Sequence, residues 1–142
     1  MIDEAYLRYC IRKCKHLKYK FVGVYAADNF PVTFEPDTFM IVNSDKSKDE
    51  GSHWVVVARR GNDYVFGAPL GLPIYRYKNI SDRLAYADFG LTEIIDTPIQ
   101  TLASTLCGFY CIYIAHYLFS SYYPVIPFIH EEQLLRFVHH LL

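Results

Sequence analysis

The chain has 142 residues and a mass of 16.6 kDa, so we expect one hydrophobic core and no second folding unit. With 52% hydrophobic and 20% charged residues, the sequence is too apolar to be intrinsically disordered. A net charge of −1 argues against a generic nucleic-acid-binding protein, and no apolar run reaches the length of a membrane span.

The first third of the chain predicts one helix followed by strands. Asp3 to His16 opens with acidic and closes with basic residues, which suits a helix dipole. Apolar or β-branched runs predict strands at Phe21 to Tyr25 and Thr38 to Val42. The polar segment from Asn43 to Ser52 predicts a surface loop that leads to His53.

The middle of the chain predicts a hairpin and one further strand. Trp54 to Arg59 and Asp63 to Phe66 are apolar runs joined at Gly61-Asn62, a favourable turn sequence. A shorter β-rich run spans Thr92 to Asp96.

The last third predicts two helices. Gly108 to Phe119 contains no Pro and is apolar nearly all round, as in a central buried helix. Glu131 to Leu142 has the pattern of an amphipathic terminal helix. The sequence therefore predicts an α+β fold, with a mostly antiparallel sheet flanked by helices, in one domain over residues 1–142.

The four cysteines form two close pairs, Cys10 with Cys14 and Cys107 with Cys111. Both pairs have i, i+4 helical spacing, which rarely allows disulfide geometry, so we predict four thiols. Neither pair has the Cys-x2-Cys spacing of a zinc site, and no His-x3-His partner follows. We therefore predict no metal and no cofactor.

Six of the 14 basic residues lie in one segment without acids. An anionic partner such as DNA is one interpretation of this segment. We favour an amphipathic helix with a solvated basic face, because charge runs usually mark exposed surfaces. The acidic N-terminus, unlike a signal peptide, predicts an intracellular protein. The basic residues are Arg8, Arg12, Lys13, Lys15, Lys18 and Lys20.

Cys107 and His53 carry the clearest chemical signal. Cys107 stands where a loop enters the predicted buried helix, and a helix N-terminus lowers a thiol pKa and offers N–H groups to an oxyanion. His53 begins a predicted strand and could accept the thiol proton. Gln100 precedes Cys107 on the same loop and could donate to an oxyanion. Alternatively, these are a buried structural cysteine, a hydrogen-bonded surface histidine and a loop glutamine.

Several further motifs lie in a fixed order along the chain: Phe21 to Pro31, Ile41 to Ser44, Gly51-Ser52-His53-Trp54, the hairpin, Pro69-Leu70-Gly71, Gln100 and Cys107-Gly108. In order and spacing they resemble the cysteine endopeptidases of adenoviruses, Maverick/Polinton elements and virophages, and more distantly the ubiquitin-like-protein proteases. The resemblance spans roughly residues 20 to 120, and combined order and spacing are more specific than any one motif.

The resemblance implies a papain-like fold of the adenovirus-protease or ubiquitin-like-protease type. His53 would take the thiol proton, Cys107 would attack the scissile carbonyl, and Gln100 with backbone N–H groups would stabilise the oxyanion. Trp54 would help to wall the groove, although burial against the sheet is its default role. The implied substrates are viral capsid precursors, often cut after small residues, in the host cytoplasm or nucleus and the virion.

One departure affects this interpretation. The family places Asp or Glu before the Pro-Leu-Gly turn to orient the histidine, and here Ala68 stands in that position. Asp63 lies near the other end of the strand and does not replace it. Ala68 is therefore an engineered inactivation, part of a natural Cys-His dyad, or the sign of a lost activity.

Two alternatives to a maturation protease remain at this point. The chain could be a catalytically dead protease fold whose groove binds a structural protein. It could also cleave a ubiquitin-like protein, with the same chemistry on another substrate. The adenovirus enzymes respond to a viral peptide and to DNA, but no motif here matches their activator-binding residues.

Overall fold

A five-stranded sheet forms the centre of the fold, in the sequential order β1-β2-β3-β4-β5. The computed structural model describes residues 3–44, 53–86, 90, 93–95, 98–99 and 106–141, without the side chains of residues 86 and 93. Each strand lies within one or two residues of its predicted limits, because their apolar runs are bounded by turn residues. The strands are β1 (Phe21–Tyr25), β2 (Thr38–Asn43), β3 (Trp54–Arg60), β4 (Asp63–Gly67) and β5 (Glu93–Ile95).

The sheet is antiparallel at its centre and parallel at its two edges. The two central pairs, β2 with β3 and β3 with β4, are antiparallel as the hairpin pattern predicts. The two outer pairs, β1 with β2 and β4 with β5, are parallel. Parallel neighbours need a crossover connection, and the chain supplies one in residues 26–37 and another between β4 and β5. The predicted α+β class is confirmed, and the parallel outer pairs are a detail that the sequence did not indicate.

Four α-helices occur in the described part of the chain, and three of them are predicted by the sequence. The first helix, α1, ends earlier than expected because Cys14 adopts an extended conformation. The Cys14 N–H donates a hydrogen bond to the Ile11 carbonyl. Asp3 caps its start by accepting a hydrogen bond from the Tyr6 N–H at 2.8 Å. The helices are α1 (Glu4–Lys13), α2 (Lys78–Tyr86), α3 (Cys107–Leu118) and α4 (Glu131–Leu141).

Helix α2 is the element that the sequence analysis missed. It follows a short 3-10 turn at Ile74–Arg76, and it lies in the crossover between β4 and β5. Tyr77, Ile80 and Leu84 are buried at spacings of three and four residues, a helical signal visible in the sequence. Exposed Lys78 and Asp82 add an i, i+4 ion pair at 2.8 Å.

The two faces of the sheet carry separate apolar clusters, because side chains alternate along each strand. One cluster joins Trp54 and Val56 of β3 to α1, α3 and α4, and we call this the α3 face. The other joins Val55 and Val57 to α2, and we call it the α2 face. Helix α3 is buried along almost its whole length, as its uniform apolarity predicts.

Helix α1 has the predicted amphipathic arrangement. The predicted stripe is fully buried on the α3 face: Leu7, Cys10 and Ile11 lie in α1, and Cys14 and Leu17 follow it. All four cysteines are free thiols, as predicted. In the part of the chain that the structure covers, no helix is both long and apolar enough to cross a membrane.

Candidate active site

The N-terminus of α3 meets the beginning of β3 through one hydrogen bond. The backbone N–H of Trp54 donates to Sγ of Cys107 over 3.4 Å. Cys107 is the first residue of α3, and its side chain is only 5% exposed. The predicted nucleophile is therefore at a helix start and in contact with the strand that follows the predicted base.

Strand pairing explains why the Trp54 N–H faces the sulfur. The Ser44 N–H donates to the His53 carbonyl at 2.8 Å, so Ser44 and His53 form a hydrogen-bonded pair of the antiparallel ladder. Such pairs alternate with pairs that are not hydrogen-bonded, and the next pair, Asn43 with Trp54, is of the second kind. The Trp54 N–H must therefore point away from β2, towards β4. The β4 ladder ends at Gly67, opposite Val56, one hydrogen-bonded position before Trp54. Sγ of Cys107 accepts this N–H on the side where a continued β4 would lie.

This contact places the backbone of His53 beside the thiol. By covalent geometry the Cα of His53 is about 2.4 Å from the Trp54 nitrogen, so it lies no more than about 6 Å from Sγ. The His53 side chain is exposed at the end of the sheet. The structure thus brings the main chain of the predicted base beside the predicted nucleophile.

The environment of the thiol differs from the sequence expectation. Burial raises the pKa of Cys107 above its usual value, and the backbone N–H groups of Trp54, Gly108 and Cys107 itself offset only part of that effect. The expected net lowering by the helix terminus was therefore wrong for the thiol by itself. Cys111, one turn further along α3, is fully buried and its pKa is raised still more.

Gly108 allows α1 to approach the first turn of α3. A Cβ built on Gly108 would lie 2.8 Å from Cδ2 of Leu7, which is fully buried. Only the absence of a side chain permits this approach. Tyr6, one turn before Cys10 in α1, also packs its ring 5.9 Å from that of Phe109. Helix α1 thus supports the helix turn that holds Cys107.

Ala68 lies at the end of β4 in the interior of the α2 face. Its side chain is fully buried and belongs to the cluster of Val55 and Phe66. Since the β2–β3 pairing continues to His53, strand alternation puts His53 on the same side as Val55, and so on the side of Ala68. Asp63 begins β4 opposite Arg60, at the far end of the strand, as expected.

The predicted oxyanion donor, Gln100, lies outside the described residues. Its neighbour Ile99 is fully buried and donates its N–H to the Pro69 carbonyl at 2.9 Å. The segment that leads into Gln100 is therefore attached to the turn after Ala68.

The ring of Trp54 is buried on the α3 face, with 7% exposure, in the cluster that also holds Cys107. This is the packing role that the sequence analysis gave as the default. The contribution that the sequence analysis did not identify is the backbone N–H of the same residue. Hydropathy and motif spacing carry no information on that group, because it depends on where β4 ends.

Asn43 is a second feature that the sequence analysis missed. It is the single buried polar or charged residue among those described, with 6% exposure. It pairs directly with Trp54, so the two side chains share the α3 face. A polar residue at the end of an apolar strand, in Ile41-Val42-Asn43-Ser44, was the available signal.

The basic segment is mostly exposed, but two of its residues have structural roles. Arg8 is half-buried, donates to the Val24 carbonyl at 2.8 Å and pairs with Glu4 at 3.0 Å. Lys20 is also half-buried and lies 4.9 Å from the centroid of the Phe119 ring. The exposed members are Arg12, Lys13, Lys15 and Lys18. Within the described ranges, no three His, Cys, Asp or Glu side chains converge as a metal site.

Comparison with known proteins supports the fold but names no family. The sequence matches no protein-family model and no curated protein. A crystal structure of ASFV pS273R protease aligns with 94% of this chain and 66% of its own length, at 18% identity and a TM-score of 0.51. The two proteins share a fold. A second crystal structure, of the selenomethionine form of that protease, aligns with 72% of this chain and 43% of its own, at 24% identity and a TM-score of 0.42.

The shared fold fits the papain-like α+β architecture predicted from the sequence, with the predicted nucleophile at the start of the buried helix. The chain spans about two thirds of the ASFV protease or less. At this identity the comparison establishes architecture alone.

Proposed function

We propose that this chain is a cysteine endopeptidase whose nucleophile is Cys107 and whose base is His53. The observation that carries the proposal is the 3.4 Å contact between the Trp54 N–H and the Cys107 sulfur, which brings the backbone of His53 next to the thiol. A thiol at a helix N-terminus beside a histidine is the arrangement that nucleophilic catalysis requires. The fold shared with a viral protease supports this reaction class.

In the proposed reaction, His53 accepts the thiol proton and the Cys107 thiolate attacks the scissile carbonyl carbon. Gln100 and the backbone N–H of Cys107 donate to the oxygen of the tetrahedral intermediate. The intermediate collapses to a thioester, and the imidazolium gives its proton to the leaving amine. Water, deprotonated by His53, then hydrolyses the thioester and restores the thiol.

We further propose that the substrates are viral precursor proteins, capsid precursors in particular, processed in infected cells or in the virion. This narrower proposal rests on the motif order of the sequence. The exposed basic residues Arg12, Lys13, Lys15 and Lys18 offer a surface to an anionic partner such as DNA.

A second candidate function is supported by Ala68. A methyl group neither accepts the imidazole N–H nor stabilises an imidazolium, so a protease fold that binds a structural protein without cutting it fits that residue. Cleavage of ubiquitin-like proteins is a third reading, with the same reaction on another substrate. Products from capsid precursors and from ubiquitin-like fusions, identified by mass spectrometry, separate the substrate classes.

Thiol labelling tests the enzyme against the binding module. A thiol-directed electrophile is expected to label Cys107 at near-neutral pH and to lose that labelling in His53→Ala. The fully buried Cys111 is an internal control, because it should stay unlabelled in both proteins. Peptide mapping locates the label. An inert Cys107 in the folded parent chain would favour the binding module.

A further inference from the structure

We propose that the backbone N–H of Trp54 is a catalytic group, which donates a hydrogen bond to the ionised sulfur of Cys107 and holds it for attack. This inference deepens the proposed function and rests on it, because it assigns a further group to the same nucleophile. The group belongs to the main chain of a sheet strand.

The first support is that the strand register directs this N–H at the Cys107 sulfur, beyond the last pair of the β3–β4 ladder. Alternation along β3 directs the N–H groups of Trp54, Val56 and Ala58 towards β4, and Val56 still pairs with Gly67. Extension of that register would place Pro69 opposite Trp54. The Pro69 carbonyl instead accepts the Ile99 N–H at 2.9 Å, so β4 has turned away before it reaches Trp54.

The second support is the burial of the sulfur. Cys107 is 5% exposed, so water cannot solvate a thiolate there as it does at a surface. An anion in such a place needs donors from the protein. The start of α3 provides donors through its first backbone N–H groups, and the end of the sheet adds Trp54 from the other side. The start of β3 and the start of α3 thus both direct N–H groups at the Cys107 sulfur.

The third support is that the arrangement provides charge stabilisation that does not depend on a carboxylate. The ring of Trp54 and the side chain of Leu7 keep their elements packed around the site, and both are buried. The direction of the N–H is fixed by the β2–β3 register. Since no side-chain substitution other than to Pro removes this donor, it would remain in a chain with Ala68.

Nuclear magnetic resonance of the intact protein provides the first test. The amide proton of Trp54 should move downfield as Cys107 ionises, with a midpoint equal to that of alkylation of Cys107. The movement should disappear in Cys107→Ala, and the Val56 amide proton should not follow the thiol in either protein. A Trp54 amide that is insensitive to thiol ionisation would overturn the proposal.

Replacement of a single amide by an ester provides the second test. Incorporation of the α-hydroxy acid of tryptophan at position 54 removes the N–H and keeps the side chain. We expect alkylation of Cys107 at a fixed pH below its midpoint to slow about tenfold, as loss of one hydrogen bond to a charged group implies. An ester at Val56 is the matched control, because it removes one β4-facing N–H that bonds the strand instead of the sulfur. Equal effects of the two esters would overturn the proposal.

These readouts distinguish this inference from the proposed function. Both follow thiol ionisation and need no peptide substrate. A chain that cleaves nothing but whose thiol responds to the position-54 ester supports the donor and rejects the peptidase. A chain that cleaves peptides at an unchanged rate with the ester supports the peptidase and rejects the donor.

Discussion

Trp54 and Cys107 are joined by a hydrogen bond from the backbone N–H of one to Sγ of the other, over 3.4 Å. The bond links the start of β3 to the start of α3, and the side chains of both residues belong to the cluster on the α3 face. Because His53 immediately precedes Trp54, the bond also determines how near the predicted base lies to the predicted nucleophile. The reactivity of Cys107 should therefore depend on groups of both elements.

The pH dependence of Cys107 alkylation should reveal its partner. Burial raises the pKa of this thiol, so in His53→Ala the alkylation rate should rise only above the ordinary thiol midpoint of about 8.5. If His53 acts as the proposed base, its imidazolium should stabilise the thiolate in the parent chain and extend labelling to near-neutral pH. Rates measured from pH 5 to 10 test this expectation. Identical profiles for the two proteins would show that His53 does not act on the thiol.

Ala68→Asp should raise peptide turnover by about tenfold to a hundredfold, because a carboxylate can orient the imidazole and stabilise its charged form. Cys107→Ser should abolish turnover in either background. Ala68→Asn is the matched control, since it has the shape of Asp without the charge. Equal turnover of the parent and Ala68→Asp on one peptide would show that the acid position is misplaced.

The same substitution has a consequence for stability. Ala68 is fully buried, so an aspartate there costs stability unless it pairs with His53. Thermal unfolding of Ala68→Asp with and without His53→Ala measures that pairing. If the two side chains pair, the Ala68→Asp/His53→Ala double variant should be less stable than the sum of the two single effects predicts. Additive effects would show that the two side chains do not interact.

Gly108→Ala should destabilise the fold by about 1–3 kcal/mol, because its new methyl group would overlap the Leu7 side chain at 2.8 Å. Labelling of Cys107 should slow as well, since the shift moves the first turn of α3. Leu7→Ala alone should cost about 2–5 kcal/mol by opening a cavity. The double variant Leu7→Ala/Gly108→Ala should lose less unfolding free energy than the two single variants together, as measured by urea unfolding. Strict additivity would contradict the close approach.

Acid should weaken the packing of α3 against α4 through His116. Burial and the neighbouring His16 lower the pKa of His116, and its ring packs 4.9 Å from that of Phe137. A histidine whose pKa is lower in the folded chain is protonated preferentially on unfolding. The loss of folding stability caused by His116 is therefore absent above its unfolded pKa of about 6.5, and it grows as the pH falls below that value.

His116→Phe measures this effect, since it keeps an aromatic ring and removes the titration. The melting temperature of the parent chain should fall more steeply between pH 7 and 5 than that of the variant. The ring of His16, on the turn after α1, lies 5.0 Å from that of His116, and His16→Phe should reduce the slope less. Parallel slopes in parent and His116→Phe would contradict the prediction.

The sequence by itself determined the strand limits, the buried helix and its first residue, Cys107. These features depend on local periodicity and on nearby turn residues such as Gly61-Asn62, so the chain encodes them over short distances. The same local signal was present for α2 in Tyr77, Ile80 and Leu84, and it was overlooked.

The tertiary structure alone decided three things: the parallel direction of the outer strands, the rise in the pKa of Cys107, and the donor role of the Trp54 N–H. Strand direction depends on the path of a crossover, and desolvation depends on the residues that the whole fold packs around the sulfur. The Trp54 N–H is directed at the sulfur because the β4 ladder ends one hydrogen-bonded position before Trp54. None of these follows from the neighbours of a residue in sequence, because each depends on segments brought together only by folding.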